Sequence, residues 1–126
     1  MLECLILGDS IGHGISFFAK ECHKVVESGI SSRMFNAKYL RKDIQTDSVL
    51  ISLGSNDSFD SNTLERLRSF IVAKKVFWVL PLNNDHARMV VQKIAASRGD
   101  FVIDGRAYEK SPDGVHPTMN GYKSIA

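Results

Sequence analysis

The sequence predicts an α/β fold, a three-layer α/β/α sandwich around a five-stranded parallel sheet. Two observations carry that prediction. Short apolar runs alternate with stretches of helical spacing along the whole chain, which is the pattern of a parallel sheet with helices on its faces. Two of the runs, Val-Leu-Ile-Ser-Leu within Ser48–Leu53 and Val-Phe-Trp-Val-Leu within Lys75–Leu80, are nearly continuous in apolar residues, as strands buried on both faces must be. Five strands predict the flavodoxin-like order 2-1-3-4-5, which sets the carboxyl ends of strands 1 and 3 side by side at the switch point.

The elements follow in order. Leu2–Leu7 forms the first strand and stops at Gly8-Asp9-Ser10. Ile11 to Lys20 has helix potential, with Ile11, Ile15, Phe18 and Ala19 on one stripe. Lys24–Glu27 is the second strand, and Met34, Phe35, Ala37 and Leu40 mark a second helix. Ser48–Leu53 is the third strand. The helix after it begins at Asn62, with Glu65 completing a capping-box pair, and carries Leu64, Leu67, Phe70 and Ile71 at helical spacing. Lys75–Leu80 is the fourth strand, with Trp78 assigned to the core. A helix from near Asp85 shows Ala87, Val90, Val91 and Ile94, Phe101–Ile103 is the last strand, and a short helix follows Pro117-Thr118. Lys20, Lys24, Arg41, Lys42, Lys74 and Lys75 read as a solvated surface.

Bulk properties narrow the function. The 126 residues fit a single domain, taken as 1–126, with a sizeable core. At 44% hydrophobic and 24% charged the chain is globular rather than disordered. A net charge of +2 is too small to argue for nucleic acid or an anionic membrane. No run approaches the ~18 apolar residues of a membrane span. Two cysteines, Cys4 and Cys22, are too few for a disulfide framework. Cys4 reads as a small buried apolar residue, and a reduced compartment is expected. A first strand starting at Leu2 leaves no room for a signal peptide, so a cytoplasmic protein is expected, with lysis or virion association as the routes to any outside destination.

Chemistry gathers at strand ends. Gly8-Asp9-Ser10 ends strand 1, Glu27-Ser28-Gly29 ends strand 2 and Gly54-Ser55-Asn56-Asp57 ends strand 3, all on one edge of the predicted sheet. Near the C-terminus stands Asp113-Gly114-Val115-His116-Pro117. A Ser, a Gly N–H, an Asn amide and an Asp-x-x-His pair make up an acyl-transfer set of nucleophile, oxyanion donors, base and orienting acid. The three-residue spacing lets the Asp113 carboxylate accept from Nδ1–H of His116, which leaves Nε2 as the proton acceptor. Each block has a plainer reading beside this one: a Ser N-cap, an Asx-turn at Asn56, a surface Asp-Gly turn at Asp113. Asp9 and Asp57 are read as acids that hold their loops through backbone N–H groups. Asp104 is the rival to Asp113 as triad acid. His13 and His86 are candidates to line the cleft, and His23 stands beside strand 2. The histidines lack paired ligand spacing, so no metal and no cofactor are expected.

These four blocks, in this order, resemble those of the SGNH hydrolase superfamily, also called GDSL esterases and lipases, over nearly the whole chain. The resemblance implies Ser10 as nucleophile, His116 as base and Asp113 as its partner. It implies an oxyanion hole made of the Ser10 N–H, the Gly29 N–H and the Asn56 side chain. The second block differs from the family's common form, which carries an Asn before the glycine where this chain has Ser28. The function so implied is a serine hydrolase acting on a small carboxylic ester, an acetyl or other short acyl group, on a saccharide among other carriers. Alternatives are a lysophospholipase or thioesterase of the same fold, or a non-catalytic phosphate- or glycan-binding module. In the last, Gly8-Asp-Ser-Ile-Gly12-His-Gly14 would be an anion loop at a helix N-terminus. No Gly-Lys-Ser/Thr occurs, so a P-loop is excluded. The small ester substrate is the only partner the sequence implies.

Overall fold

The structure, a computed structural model, describes residues 2–9, 22–40, 44–57, 62–81 and 84–104. Five strands form one sheet: β1 (Leu2–Gly8), β2 (His23–Val26), β3 (Ile44–Ser52), β4 (Ile71–Val79) and β5 (Phe101–Ile103). Their order is β2-β1-β3-β4-β5 and every pairing is parallel, as the periodicity predicts. Three helices are described: α1 (Ser32–Tyr39), α2 (Asn62–Ser69) and α3 (Asp85–Arg98). The connections β2→β3, β3→β4 and β4→β5 all advance the same way across the sheet. Right-handed crossovers therefore put these helices on one face, where α1 packs on α2 and α2 on α3. The helices expected over Ile11–Lys20 and after Pro117 lie outside the described residues.

Strand alternation builds the core. Leu5 and Leu7, Val49, Ile51 and Leu53, and Val76, Trp78 and Leu80 recur with period two and face the helices. Phe35 from α1, Leu64 and Leu67 from α2, and Val91, Ile94 and Ala95 from α3 close over them. Trp78 is fully buried. Ile6 and Val79 alternate to the opposite face and are buried as well, which is why these strands read as unbroken apolar runs. Gly99, left-handed at φ 71°, ends α3, and the Asp100 N–H turns back to the Ala95 carbonyl at 2.9 Å.

Three expectations are corrected. β3 and β4 each begin four residues earlier than their apolar runs, because Ile44-Gln45-Thr46 pairs with Ile71-Val72-Ala73. Gln45-Thr46-Asp47 in β3 and Lys74-Lys75 in β4 separate that pairing from the apolar runs and hide it from an apolar count. Ile71 accordingly belongs to a strand rather than to the preceding helix, which stops at Ser69. In α1 the buried residues are Ser32 and Phe35, whereas Met34 is half exposed.

Cys4 and Cys22 form a disulfide, Cα to Cα 4.9 Å, where free thiols were expected. Leu5 is in register with His23, so the residues one step earlier stand side by side at a separation a disulfide spans. Strand register makes this pair, and eighteen residues of sequence separation conceal it. The thiol count thus no longer argues for a reducing compartment, since disulfides persist where the surroundings are oxidising. Reducing the bridge is expected to cost about 3 kcal/mol and to lower Tm by roughly 10 °C. Thermal melts with and without reductant, with Cys4→Ser/Cys22→Ser as the matching variant, check this; identical melts would refute it. No described helix is long and apolar enough to cross a membrane.

Candidate active site

The site begins where three strands end together. Gly8 pairs with Val26 of β2 on one side and with Ser52 of β3 on the other. Beyond the ladder, the Glu27 N–H donates to the Gly8 carbonyl (3.0 Å) and the Asp9 N–H to the Ser52 carbonyl (2.9 Å). The first three sequence blocks therefore leave the sheet from one line on its carboxyl edge. Asp9 is buried, and its Oδ1 accepts from the Ser52 hydroxyl at 3.4 Å. That contact ties the end of β1 to β3; the nucleophile loop that Asp9 is expected to hold lies outside the described residues.

The second block turns at Gly29, whose φ of 78° is left-handed and whose surroundings leave a Cβ position open. A backbone N–H there meets no side chain of its own residue. The chain then enters α1 with Ser31 as N-cap, its hydroxyl accepting from the Met34 N–H at 3.2 Å. Glu27, two residues before Gly29, accepts from Lys38 Nζ at 3.1 Å on both oxygens and from the Tyr39 hydroxyl at 2.9 Å. The Lys38 hydrogen bond, then that of Tyr39, holds the Glu27 carboxyl below its ordinary pKa. The same carboxylate pushes the Tyr39 hydroxyl up.

The third block is a tight turn over Gly54–Asp57, closed by the Asp57 N–H on the Gly54 carbonyl at 3.1 Å. Gly54 has φ 118°, and a Cβ on it would stand 2.7 Å from Pro81 Cγ and 3.2 Å from Ala87 Cβ. Only glycine fits both the backbone and the space. Asn56 is exposed at the tip, and its Nδ2 donates to the Ile30 carbonyl at 3.1 Å. The Asp57 carboxylate accepts from the Ser32 N–H and the Ser32 hydroxyl, each at 2.6 Å. That places a charge-assisted pair at the start of α1, where free N–H groups favour an anion. The Ser32 hydroxyl also meets Thr63 Oγ1, and Asn36 Nδ2 donates to the Thr63 carbonyl at 2.8 Å. Ser32 and Thr63 were not singled out in the sequence, and no local signal marks either.

Of the sequence-derived site residues, Gly29 and Asn56 are brought together: the Asn56 amide rests on the carbonyl of the residue after Gly29. Ser10, Asp113, His116 and His13 lie outside the described residues. Asp104, the rival acid, takes a bidentate pair from Arg88 at 3.2 and 2.5 Å. His86 lines a groove between α2 and α3 with Asn62, Glu65 and Met89. Among the described residues, no three His, Cys, Asp or Glu side chains cluster as metal ligands.

No protein-family model and no curated protein matches the chain. Solved structures do match its backbone. A Bacteroides fragilis protein assigned as an acylhydrolase superposes with a TM-score of 0.69 at 15% identity, over 98% of this chain and 82% of that one. A GDSL-like lipase from Bacteroides thetaiotaomicron gives 0.65 at 16% identity, over 98% and 83%. A carbohydrate acetylesterase family member from Sinorhizobium meliloti gives 0.62 at 14% identity, over 99% and 93%. At these identities the likeness is one of fold, a five-stranded parallel α/β architecture shared with these acylhydrolase, lipase and acetylesterase structures.

Proposed function

We propose that this protein is a serine esterase that removes a small acyl group, an acetyl ester on a saccharide in the first instance, by way of an acyl-enzyme. Ser10 Oγ attacks the ester carbonyl while His116 Nε2 takes its proton, with Asp113 orienting the imidazole. The carbonyl oxygen becomes an oxyanion held by the N–H groups of Ser10 and Gly29 and by Asn56 Nδ2. Collapse expels the alcohol, which takes the proton from His116. Water, deprotonated by His116, then attacks the acyl-enzyme and releases the acid.

The observation that carries this reading is the Asn56–Ile30 hydrogen bond. An amide has two N–H groups. One fastens the turn to the Gly29 loop, and the other is the donor that the reaction uses beside the Gly29 N–H. The SGNH-like fold and the similarity to an acylhydrolase and an acetylesterase support the same chemistry. The carbohydrate acetylesterase among them is the reason for preferring an acetylated saccharide.

The test is direct. The protein is treated with a serine-reactive organophosphonate and assayed on activated acetyl esters and acetylated saccharides. Labelling at Ser10 with turnover is the expected result; a protein that is neither labelled nor active defeats the proposal. Asn56→Ala is expected to lower kcat by about 10²–10³ with little change in KM, measured on the same esters. A variant with wild-type kcat would remove Asn56 from the oxyanion hole.

A further inference from the structure

Asn84 stands at the end of the β4–α3 connection and is the N-cap of α3. Its Oδ1 accepts from the Ala87 N–H at 3.1 Å, and its carbonyl takes the first helical bond from the Arg88 N–H at 2.9 Å. Those bonds are what any good N-cap makes, and Ser, Thr or Asp would serve as well. The amide nitrogen does something else. Nδ2 donates to the Gly54 carbonyl at 3.1 Å and to the Asp57 carbonyl at 2.8 Å. These are the first and last residues of the turn that carries Asn56. Both N–H groups and one lone pair of this amide are engaged, and the partners fix its orientation: one is an N–H and two are carbonyls.

The turn is moulded on this connection at two points. Pro81 Cγ and Ala87 Cβ leave no room for a side chain at Gly54, and the Asn84 amide holds both turn ends. Asn56 therefore projects from a frame anchored to β4 and α3, while its own amide reaches across to the β2–α1 loop. Asn is the residue that caps a helix with its oxygen and clamps two carbonyls with its nitrogen. Asp would keep the cap and set a carboxylate against two carbonyl oxygens, and Ser would keep the cap and lose the clamp.

We infer that Asn84 is a positioning residue for the oxyanion hole: its amide clamps the Gly54–Asp57 turn so that Asn56 Nδ2 is held where charge develops. This role rests on the esterase reading above. A donor displaced by about 1 Å costs on the order of 10²-fold in rate, and the effect cannot exceed that of losing the Asn56 donor itself.

The test uses the full chain and an activated acetyl ester. Asn84→Asp is expected to lower kcat by about 10–100-fold with KM within about twofold. In an Asn56→Ala background the same substitution is expected to change kcat by less than about twofold, because residues acting as one unit are not additive. A residue that merely caps α3 would give neither the kcat-specific loss nor its disappearance in that background. Full kcat in a folded Asn84→Asp protein, or an undiminished loss in the Asn56→Ala background, overturns the assignment while leaving the esterase reading intact. A wild-type protein that neither turns over the ester nor labels at Ser10 overturns both. If Asn84→Asp does not fold, Asn84→Ser, which keeps a capping oxygen without a charge, carries the same comparison.

Discussion

Ser10→Ala is expected to lower kcat on activated short-chain esters by about 10⁴–10⁶. Without the hydroxyl no acyl-enzyme forms, and the residual rate is what oxyanion donors and binding supply to direct attack by water. His116→Ala is expected to cost a similar factor, because an alcohol oxygen is a poor nucleophile until a base takes its proton. The double variant Ser10→Ala/His116→Ala is the sharper measurement. Nucleophile and base act as one unit, so the double variant is expected to lose no more than the worse single variant. Steady-state rates of the four proteins decide it. Losses that multiply, or a His116→Ala protein with near-normal kcat, would mean that residues 10 and 116 do not work together, and the esterase mechanism would fall.

Asp100→Ala carries the largest expected loss of stability, about 3–5 kcal/mol. Asp100 follows the Gly99 turn, and its side chain is only 4% exposed. Its Oδ2 accepts from Arg68 Nε at 2.8 Å and from Trp78 Nε1 at 3.0 Å, and its Oδ1 accepts from Arg68 Nη2 at 2.9 Å. Arg68 is itself 11% exposed. Removing the carboxylate leaves a nearly buried guanidinium without its counter-charge and the central tryptophan's N–H without its acceptor, and unpaired buried groups cost their full desolvation. The pair joins α2, β4 and the start of β5, so the loss is felt by the whole sheet rather than one loop. Asp100→Asn keeps an acceptor oxygen and removes the charge, so a smaller loss is expected. Urea unfolding at neutral pH measures both; an Asp100→Ala protein within about 1 kcal/mol of wild type would show that the pair contributes little net stability.

The proposed chemistry depends on loops more than on the sheet. The sheet sets β2, β1 and β3 to end in one line, but the Asn56 amide, the Ser32–Asp57 pair and the Asn84 clamp decide where the donors stand. Two of those three were approached from the sequence, Asn56 as an oxyanion donor and Asp57 as a loop-holding acid, and the Asn84 clamp was not. Asn84-Asp85 before the helical stretch at Ala87 does carry an N-cap signature, yet that signature says nothing of the two carbonyls on its other side.

By itself the sequence determined the parallel sheet, its order β2-β1-β3-β4-β5, and the convergence of the Gly8, Gly29 and Gly54 blocks on one edge. Those follow from period, run length and chain order, all of which are local or read along the chain. Tertiary structure alone decided that Cys4 bonds Cys22, that β3 and β4 extend back to Ile44 and Ile71, and that Asn56 reaches Ile30. It also decided that Asp57 receives Ser32 and that Asn84 holds Gly54 and Asp57. The reason is physical. Each of these joins groups far apart in the chain, and their meeting depends on strand register and on the direction a single polar side chain takes. Neither leaves a repeating mark on the residues around it.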